Sequence, residues 1–269
     1  MRKILMATMM LSTIVAVKAQ QVKLSVGTKF QVITESKGNN ITSMMGQDME
    51  MSNTTIIYLN HELKSVGINK FSIGMIIKRI TANVSIMGQE QSIDSDDEAI
   101  RSNPVLAEAF ESLGKEIEIT VDSGKVTMQG EMLEALKTIP GATSEGSDVG
   151  RMFLLIKEED TKEGYTWVSN NFSESGPSET NNIIEKITDK EIQVLANSTI
   201  KVSSTITQNG MEIKQKTEGT VKSTRIYDRA TGLMISEMST SDIKGNMEVM
   251  GQQMPLTSKI ETKTSVKLL

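Results

Sequence analysis

Three copies of the tripeptide Met-Gly-Gln punctuate the sequence, at residues 45–47, 87–89 and 250–252. Each copy lies beside a stretch in which apolar and polar residues alternate, and a period of two is typical of strands with one buried face. A strand pattern interrupted by the same tripeptide predicts a repeated β-hairpin that presents flexible, apolar thioethers. It describes a scaffold and a surface, and it does not identify a reaction.

The first 19 residues have the pattern of an export signal. Arg2 and Lys3 precede an apolar run from Ile4 to Val17, and Val17-Lys18-Ala19 places small or branched residues where a signal peptidase cuts. The run is shorter than the roughly 20 residues that a membrane-spanning helix needs. We therefore predict a signal peptide at residues 1–19, no transmembrane anchor after cleavage, and export to the periplasm or the extracellular space.

Charge and thiol content exclude several classes of function. Cleavage after Ala19 would change the formal net charge from −5 to −8, since three basic residues are lost and no acid is. An acidic surface without a basic stripe repels phosphate backbones, so nucleic acid is not an expected partner. The sequence has no cysteine, so it has no lipoprotein anchor at the first mature position and no disulfides, and the fold must be stabilised by buried apolar surface.

The first part of the mature chain predicts strands joined by short connections. Alternation from Thr28 to Ser36, the segment Gly38-Asn39-Asn40 and a strand from Ile41 to Met51 predict a first hairpin. Strands are then expected at Thr55–Leu59 and Phe71–Ile80, joined by a loop that contains His61. Residues 81–93 repeat the Met-Gly-Gln element.

The strongest helix signal begins at Asn103-Pro104, where an Asx cap precedes a proline at the first helical position. An apolar stripe that includes Phe110 follows at helical spacing, and Gly114 supplies a left-handed residue to end the helix. A strong hairpin is then predicted from Lys115 to Gln129, with its turn at Asp122-Ser123-Gly124.

The second half of the chain reads as an antiparallel meander. Two loops rich in small polar residues, predicted to be mobile, lie near 138–150 and 169–182. Beyond residue 182 nearly all of the chain has strand character, with turns expected at 189–190, 208–210, 228–232 and 245–246.

These elements predict a mainly β fold with few helices. Several strands are polar on both faces, so their outer side must meet water and their inner side buries only a few residues. A curved antiparallel sheet, half-barrel-like and packed on one or two short helices, fits this pattern. Neither half of the chain has enough apolar residues to form a core of its own, which favours a single domain at residues 20–269.

Catalytic chemistry has few side chains available. The sequence has no cysteine, one histidine and no Gly-x-Ser-x-Gly elbow, so few of the usual pairs of catalytic nucleophile and base can be formed. The polar context Asn60-His61-Glu62 favours a surface loop histidine. The run from Asp94 to Glu98 lacks the glycine and the final bidentate acid of a calcium loop, so a solvated loop is favoured. The sequence predicts no enzyme activity, no metal and no cofactor, although carboxylates gathered by the fold stay open as an alternative.

Methionine is the conspicuous residue of the chain. Alternation places Met45, Met49 and Met51 on one face of a strand, where methionine commonly fills irregular apolar space. Together with Met87 and Met250 they are the predicted apolar lining of a ligand site. Clustered thioethers are also soft ligands for monovalent copper, which stays open as an alternative.

Aromatic residues are scarce, and Tyr165 and Trp167 are the exception. Two positions apart on a strand, they point to the same face. Anchoring of the core is the favoured interpretation of this pair, and they are also included in the candidate ligand lining.

The assembled motifs resemble an uncharacterised family of exported, β-rich proteins from Bacteroidota, a domain of unknown function. The resemblance covers most of the mature chain and rests on the first two Met-Gly-Gln triplets, the hairpin 121–126, Gly164-Tyr165-Thr166-Trp167, and the segment 227–233. Many relatives carry a lipobox cysteine that this chain lacks. At the level of the fold, the pattern is similar to half-barrel carriers that shuttle lipoproteins or lipids across the periplasm.

The sequence thus favours a non-enzymatic binding or carrier module for an apolar, lipid-like ligand. The motivating features are export, few catalytic groups and soft apolar strand faces. The alternative from another class is a structural or interaction protein of the cell envelope, whose strand edges pair with a partner protein.

Overall fold

The computed structural model describes residues 22–44, 47–68, 70–101, 110, 113–122, 125–129, 147–173, 176–208, 211–249 and 252–269. The predicted signal peptide at 1–19 lies outside the described residues. So does most of the predicted helix, at 102–109 and 111–112, but its expected terminator Gly114 has a φ of 81°.

Long strands dominate the structure, and the described helices are single turns. The helices are α1 (Glu98–Arg101), α2 (Ser147–Gly150) and a 3-10 turn at Glu158–Asp160. The strands are β1 (Lys29–Met44), β2 (Gln47–Gly67), β3 (Lys70–Ile86), β4 (Gln89–Asp94), β5 (Glu116–Asp122), β6 (Lys125–Gln129), β7 (Thr166–Ser173), β8 (Gly176–Ile187), β9 (Glu191–Gln208), β10 (Met211–Asp228), β11 (Met234–Val249) and β12 (Gln252–Leu268).

All twelve strands form one antiparallel sheet in the order β6-β5-β3-β2-β1-β12-β11-β10-β9-β8-β7. β4 pairs with the second half of β3, while β5 pairs with the first half. The first and last strands of the chain are neighbours at the middle of the sheet. The sheet is curved, and residues of β6 and β7 approach one another within 8 Å between Cα atoms. The predicted curved antiparallel fold is therefore confirmed.

Alternation divides the sheet into two chemically different faces. In β12, for example, Met254, Ser258 and Thr264 are buried, and the residues between them are exposed or half-buried. We call the face that carries the buried side chains the inner face. The outer face carries alternating charges, such as Lys259 and Glu261, and meets water.

The hydrophobic core fills only one end of the inner face. Phe30, Phe71 and Ile184 are fully buried there, on β1, β3 and β8. The segment after α2 closes the core, since Phe153 makes edge contacts with the rings of Phe30 at 6.2 Å and Phe71 at 5.0 Å between centroids. Val149 of α2 is also part of this cluster. We call this end of the sheet the core half.

The opposite end of the sheet carries the hairpin connections, and the predicted hairpin at Met-Gly-Gln is confirmed at residues 86–89. The predicted strand from Ile41 to Met51 is wrong, because its residues are divided between β1, which ends at Met44, and β2, which begins at Gln47. Met87 and Gly88 have φ angles of 51° and 82° between the paired residues Ile86 and Gln89. Two successive positive φ angles match the twist that a two-residue hairpin requires. The residues that flank the other two Met-Gly pairs are also paired, Met44 with Gln47 and Val249 with Gln252.

Two predicted turns are wrong, because the chain runs straight through them. β1 continues through Gly38-Asn39-Asn40, and β11 continues through Gly245-Asn246. A side chain on Gly245 would overlap the backbone carbonyl oxygen of Lys216 on the neighbouring strand. These glycines thus permit close approach and bending of paired strands and do not mark turns.

Two predicted loops are also corrected. β2 extends to Gly67, so His61 lies within a strand and its side chain is buried, because alternation sends it inward while its polar neighbours point outward. The segment 169–182, predicted as a mobile loop, forms most of the paired strands β7 and β8. In the other predicted loop, residues 147–150 form α2, and 138–146 lie outside the described residues.

Candidate functional site

The inner face continues past the core for about half the length of the long strands. We call this part the distal inner face and define it by the inward residues on the five central strands. On β1 and β2 these are Gly38, Asn40, Thr42, Met49, Met51 and Asn53. On β10, β11 and β12 they are Thr217, Gly219, Val221, Ser241, Ile243, Gly245, Met247, Met254, Leu256, Ser258 and Ile260. Most of them are half-buried.

Large apolar and small residues alternate across neighbouring strands of the distal inner face. Ile243 is paired with Gly219 on one side and Ser258 on the other. Leu256 and Ile260 are likewise each paired with a glycine on one side and with a serine or threonine on the other. Each large side chain therefore stands beside a smaller one, and the side chains of Ile243 and Thr217 lie over the neighbouring Gly219 and Gly245.

Charge distinguishes the two faces sharply. Among the described residues, no inward position between the distal hairpins and the pair Arg225–Glu237 carries a charged residue. On the outward side of the same strands, Lys244 and Lys259 flank Asp242, to give one example. The distal inner face can therefore solvate a neutral molecule but offers no counter-ion to a charged one.

Several hydroxyl groups on the inner face, between the core and the distal inner face, pair with each other. Ser36 contacts Thr262 at 3.1 Å between hydroxyl oxygens, and Thr180 contacts Ser198 at 2.7 Å. Two hydroxyls on the distal inner face differ. Within the described part of the chain, the buried oxygens Thr42 Oγ1 and Ser258 Oγ have no hydrogen-bond partner. A buried hydroxyl without a partner is uncommon, because its desolvation is not compensated.

A buried polar cluster marks the boundary between the core half and the distal inner face. Arg225 Nε donates to Glu237 Oε1 at 2.9 Å, and Arg225 Nη1 donates to Asn182 Oδ1 at 3.2 Å. Arg151 Nε lies 3.1 Å from Glu237 Oε2. Burial opposes ionisation of Glu237, but the two guanidinium groups outweigh it and hold the pKa of this carboxyl below its ordinary value.

His61 lies inside the core half, where it meets neither an acid nor a hydroxyl of the described residues in a catalytic arrangement. Its ring stacks on Phe30, with centroids 5.1 Å apart and an angle of 3° between planes. Only 2% of the residue is exposed, and both ring nitrogens lack a hydrogen-bond partner among the described residues. Burial lowers the pKa of His61 to about 3. The imidazole is therefore neutral at physiological pH.

The structure brings together only some of the predicted lining residues. Met49 and Met51 lie on the distal inner face, where Met247 and Met254 are directly paired on β11 and β12. Met87 is 72% exposed at its hairpin turn and does not line this surface. The predicted residues Met45 and Met250 lie outside the described residues.

Tyr165 and Trp167 lie at the edge of the sheet, away from the distal inner face. Their rings stack at 5.9 Å, and both pack against the hydrophobic core. This position agrees with the interpretation of the pair as core anchors.

Sequence reasoning missed most of the apolar ridge. Ile243, Leu256 and Ile260 were not singled out, although their spacing at even intervals within β11 and β12 is a period-two signal. The two unpartnered hydroxyls have no sequence signature, since serine and threonine occur throughout the strands.

The acidic run after β4 is neutralised by arginine. Arg79 donates to Asp94 through Nε at 3.1 Å and Nη2 at 2.6 Å, and its Nε lies 3.2 Å from a carboxylate oxygen of Asp96. The hydrogen bonds from Arg79 lower the pKa of Asp94. Across the ranges that the structure describes, no group of three or more acidic, histidine or cysteine residues is arranged to hold a metal ion.

None of the helices among the described residues has the length and apolarity that crossing a membrane requires. No family model and no curated protein matches this chain. Among solved structures, one that describes lipid–protein interactions in lipovitellin is similar, with a TM-score of 0.53 and 10% identity, over 91% of this chain and 25% of the lipovitellin chain.

Two bacterial proteins give weaker matches. An outer membrane channel of Pseudomonas putida F1 has a TM-score of 0.31 and 8% identity, over 91% of this chain and 97% of the channel. OccK7 of Pseudomonas aeruginosa has a TM-score of 0.26 and 6% identity, over 90% of this chain and all of that chain (100%). TM-scores this low do not show a shared fold. The chain spans about a quarter of the lipovitellin chain, and at 10% identity that likeness is one of fold alone.

Proposed function

We propose that this protein is an exported, non-enzymatic binding or carrier module for an apolar, lipid-like ligand, which lies along the distal inner face. The observation that carries the proposal is the mismatch between sheet and core. The strands are long enough to form two halves, but the hydrophobic cluster fills only one of them. The other half keeps half-buried apolar side chains on a face without charge.

The dimensions of the distal inner face suit one acyl chain. From Thr34, beside the core, to Thr42, near the hairpins, β1 advances eight residues, which is about 26 Å at 3.3 Å per residue. One acyl chain spans roughly 15 Å, half of a bilayer's hydrocarbon core. Each methylene group removed from water contributes about 0.8 kcal/mol. An acyl chain that lies against the half-buried side chains of Ile243 and Ile260 would therefore be bound favourably.

Two further findings support a carrier. The fold is similar to that of lipovitellin, a protein whose structure describes lipid–protein interactions. The single histidine is sequestered against Phe30 inside the core, where a substrate has no access to it. A role in binding thus agrees better with the available chemistry than a role in catalysis.

Lipid extraction and native mass spectrometry test the proposal directly. The protein is expressed with its leader in a Gram-negative periplasm, and a bound lipid is expected as a mass increment and in the organic extract. Ile243→Asp places a carboxylate on the distal inner face and should abolish the increment. Ile41→Asp makes the same change on the outer face, where Ile41 is 40% exposed, and should keep it. Protein that carries no lipid and takes up none in the purified state would refute a carrier.

A second candidate is an interaction protein of the cell envelope, favoured by the sheet edges. β4 pairs only with β3 among the described residues, so its other backbone edge is unpaired, whereas the end strands β6 and β7 approach one another too closely to admit a further strand between them. Unpaired edges can accept a strand from a partner protein. Crosslinking in cells separates the two functions, because a carrier yields lipid and a scaffold yields a protein neighbour.

The copper alternative now centres on Met247 and Met254, which are paired across two strands. Titration with monovalent copper followed by mass spectrometry tests it. Substitution of both methionines by leucine should remove any retained metal if the thioethers are its ligands.

A further inference from the structure

Two hydroxyls on the distal inner face have no hydrogen-bond partner within the described residues. Thr42 Oγ1 and Ser258 Oγ are both buried atoms, and Ser258 as a whole is only 7% exposed. They lie on the neighbouring strands β1 and β12, where Thr42 is paired with Leu256 and Ser258 with Asn40. Both side chains point inward, two residues apart along the register, so their oxygens flank the same stretch of the surface.

Two hydroxyl pairs closer to the core show how such groups are satisfied on these strands. The hydroxyls of Thr34 and Thr264 lie 3.3 Å apart, and those of Ser36 and Thr262 lie 3.1 Å apart, on the same two strands. Thr42 and Ser258 do not form such a pair, because Leu256 lies opposite Thr42 and Asn40 lies opposite Ser258 on the neighbouring strand. Their hydrogen-bonding capacity is therefore unused among the described residues.

Charge decides what kind of ligand group fits. A hydroxyl both donates and accepts, so it suits an ester, a hydroxyl or an amide. A carboxylate or phosphate at this place would be removed from water without a counter-ion, since the described inward positions around Thr42 and Ser258 are all uncharged. The guanidinium groups of buried Arg225 and half-buried Arg151 lie at the far boundary with the core and are engaged with Glu237.

We propose that the distal inner face selects a neutral amphiphile: an uncharged ester or hydroxyl head hydrogen-bonds to Thr42 and Ser258, and a single acyl chain runs from there toward the core. This inference rests on the proposed function, because it specifies the ligand class of the same surface. Thr42 lies two residues before the end of β1, at the hairpin end. The head therefore lies at the hairpin end of the distal inner face, and the chain follows Ile243, Ile260 and Val221 toward the core.

The test compares two probes of equal chain length, the monoglyceride of myristic acid and myristate, at about pH 8, where the free acid is ionised. Affinities are measured on the delipidated full chain by displacement of a fluorescent apolar probe. The monoglyceride should bind at least about 10-fold more tightly, since only the acid must give up hydration without a counter-ion.

Variants identify the atoms responsible. Thr42→Val and Ser258→Ala remove the hydroxyls with little change in shape, and together they should weaken monoglyceride binding about 10-fold while binding of the apolar probe is unchanged. Thr257→Val makes the matched change on the outward side of β12 and should have no effect. Thermal unfolding of each variant reports on folding, and loss of an unpartnered hydroxyl should leave the melting temperature unchanged or higher.

The outcomes separate the inference from the function on which it rests. Equal or tighter binding of myristate, or full affinity in the double variant, overturns the inference and leaves the carrier proposal in place. Full affinity in the double variant is also the result expected if ordered water alone satisfies the two hydroxyls. Failure of the monoglyceride, myristate and the apolar probe to bind overturns both.

Discussion

The buried ring of His61 makes the stability of the protein depend on pH. Burial lowers the pKa of this residue from 6.5 to about 3 in the folded state. Between these values the unfolded chain binds a proton that the folded protein excludes, so stability is complete above pH 6.5 and is lost as the pH falls toward 3. One pKa unit corresponds to about 1.4 kcal/mol, which gives a loss of about 2 kcal/mol at pH 5 and about 4 kcal/mol near pH 3.

Urea unfolding from pH 8 to pH 5 measures this effect in a window where carboxylates contribute little. The pKa of Glu237 is lowered, so its contribution is lost only in more acidic solution. The wild type should lose about 2 kcal/mol of unfolding free energy over this window, and His61→Phe should lose almost none. At pH 8 the phenylalanine variant should be at least as stable, because two unpartnered nitrogens are gone. His61→Gln is the control that abolishes titration but keeps polar atoms. If the phenylalanine variant loses as much stability as the wild type, the assignment of the pH dependence to His61 is wrong.

Three further predictions concern backbone and packing. Gly245→Val should lower the unfolding free energy by about 3 kcal/mol or more, since its side chain would overlap the backbone of the next strand. The control in thermal melts is Gly150→Ala, whose added carbon makes only an ordinary contact at 3.8 Å. Arg225→Met should lower the unfolding free energy by about 3–5 kcal/mol, because the buried carboxylate of Glu237 loses one of its two cations. Chemical denaturation should show that adding Glu237→Leu restores part of this stability. Gly88→Val should cost about 1–3 kcal/mol because the residue has a φ of 82°, and a melting temperature equal to that of the wild type would contradict the turn geometry.

Glycines that are needed for the local backbone conformation of a turn were predictable from the sequence. Glycines that are needed for contact with a neighbouring strand were not. Gly88 and Gly232 lie in turns with positive φ, as their flanking residues suggested. Gly38 and Gly245 look similar in the sequence, but they lie in the middle of long strands. The need for glycine at Gly245 arises from a neighbouring strand that comes close only in the folded sheet. The residues around Gly245 in the sequence do not identify that neighbouring strand.

The candidate site shows the same limit. Alternation was sufficient to place Met49 and Met51 on one face, and the structure has both on the inner face. The period of two around His61 also contained a signal for burial, which its charged and polar neighbours obscured. The pairing of β1 with β12 was not predictable in this way, because it joins residues more than 200 positions apart. Without that register, Thr42 and Ser258 could not be seen as neighbours.

The long strands connect two surfaces with different physical tasks. In the core half, packed rings and aliphatic side chains around Phe30 fix the sheet, and this burial supplies the stability that disulfides cannot. Beyond the boundary at Glu237, the same strands rely mainly on their backbone ladders, because fewer side chains on the inner face are fully buried. Regions with few buried apolar contacts open at lower free energy than a core does. The fold therefore places its least constrained apolar surface on a rigid base, and under the proposed function this would let the sheet adjust around an acyl chain without loss of the fold.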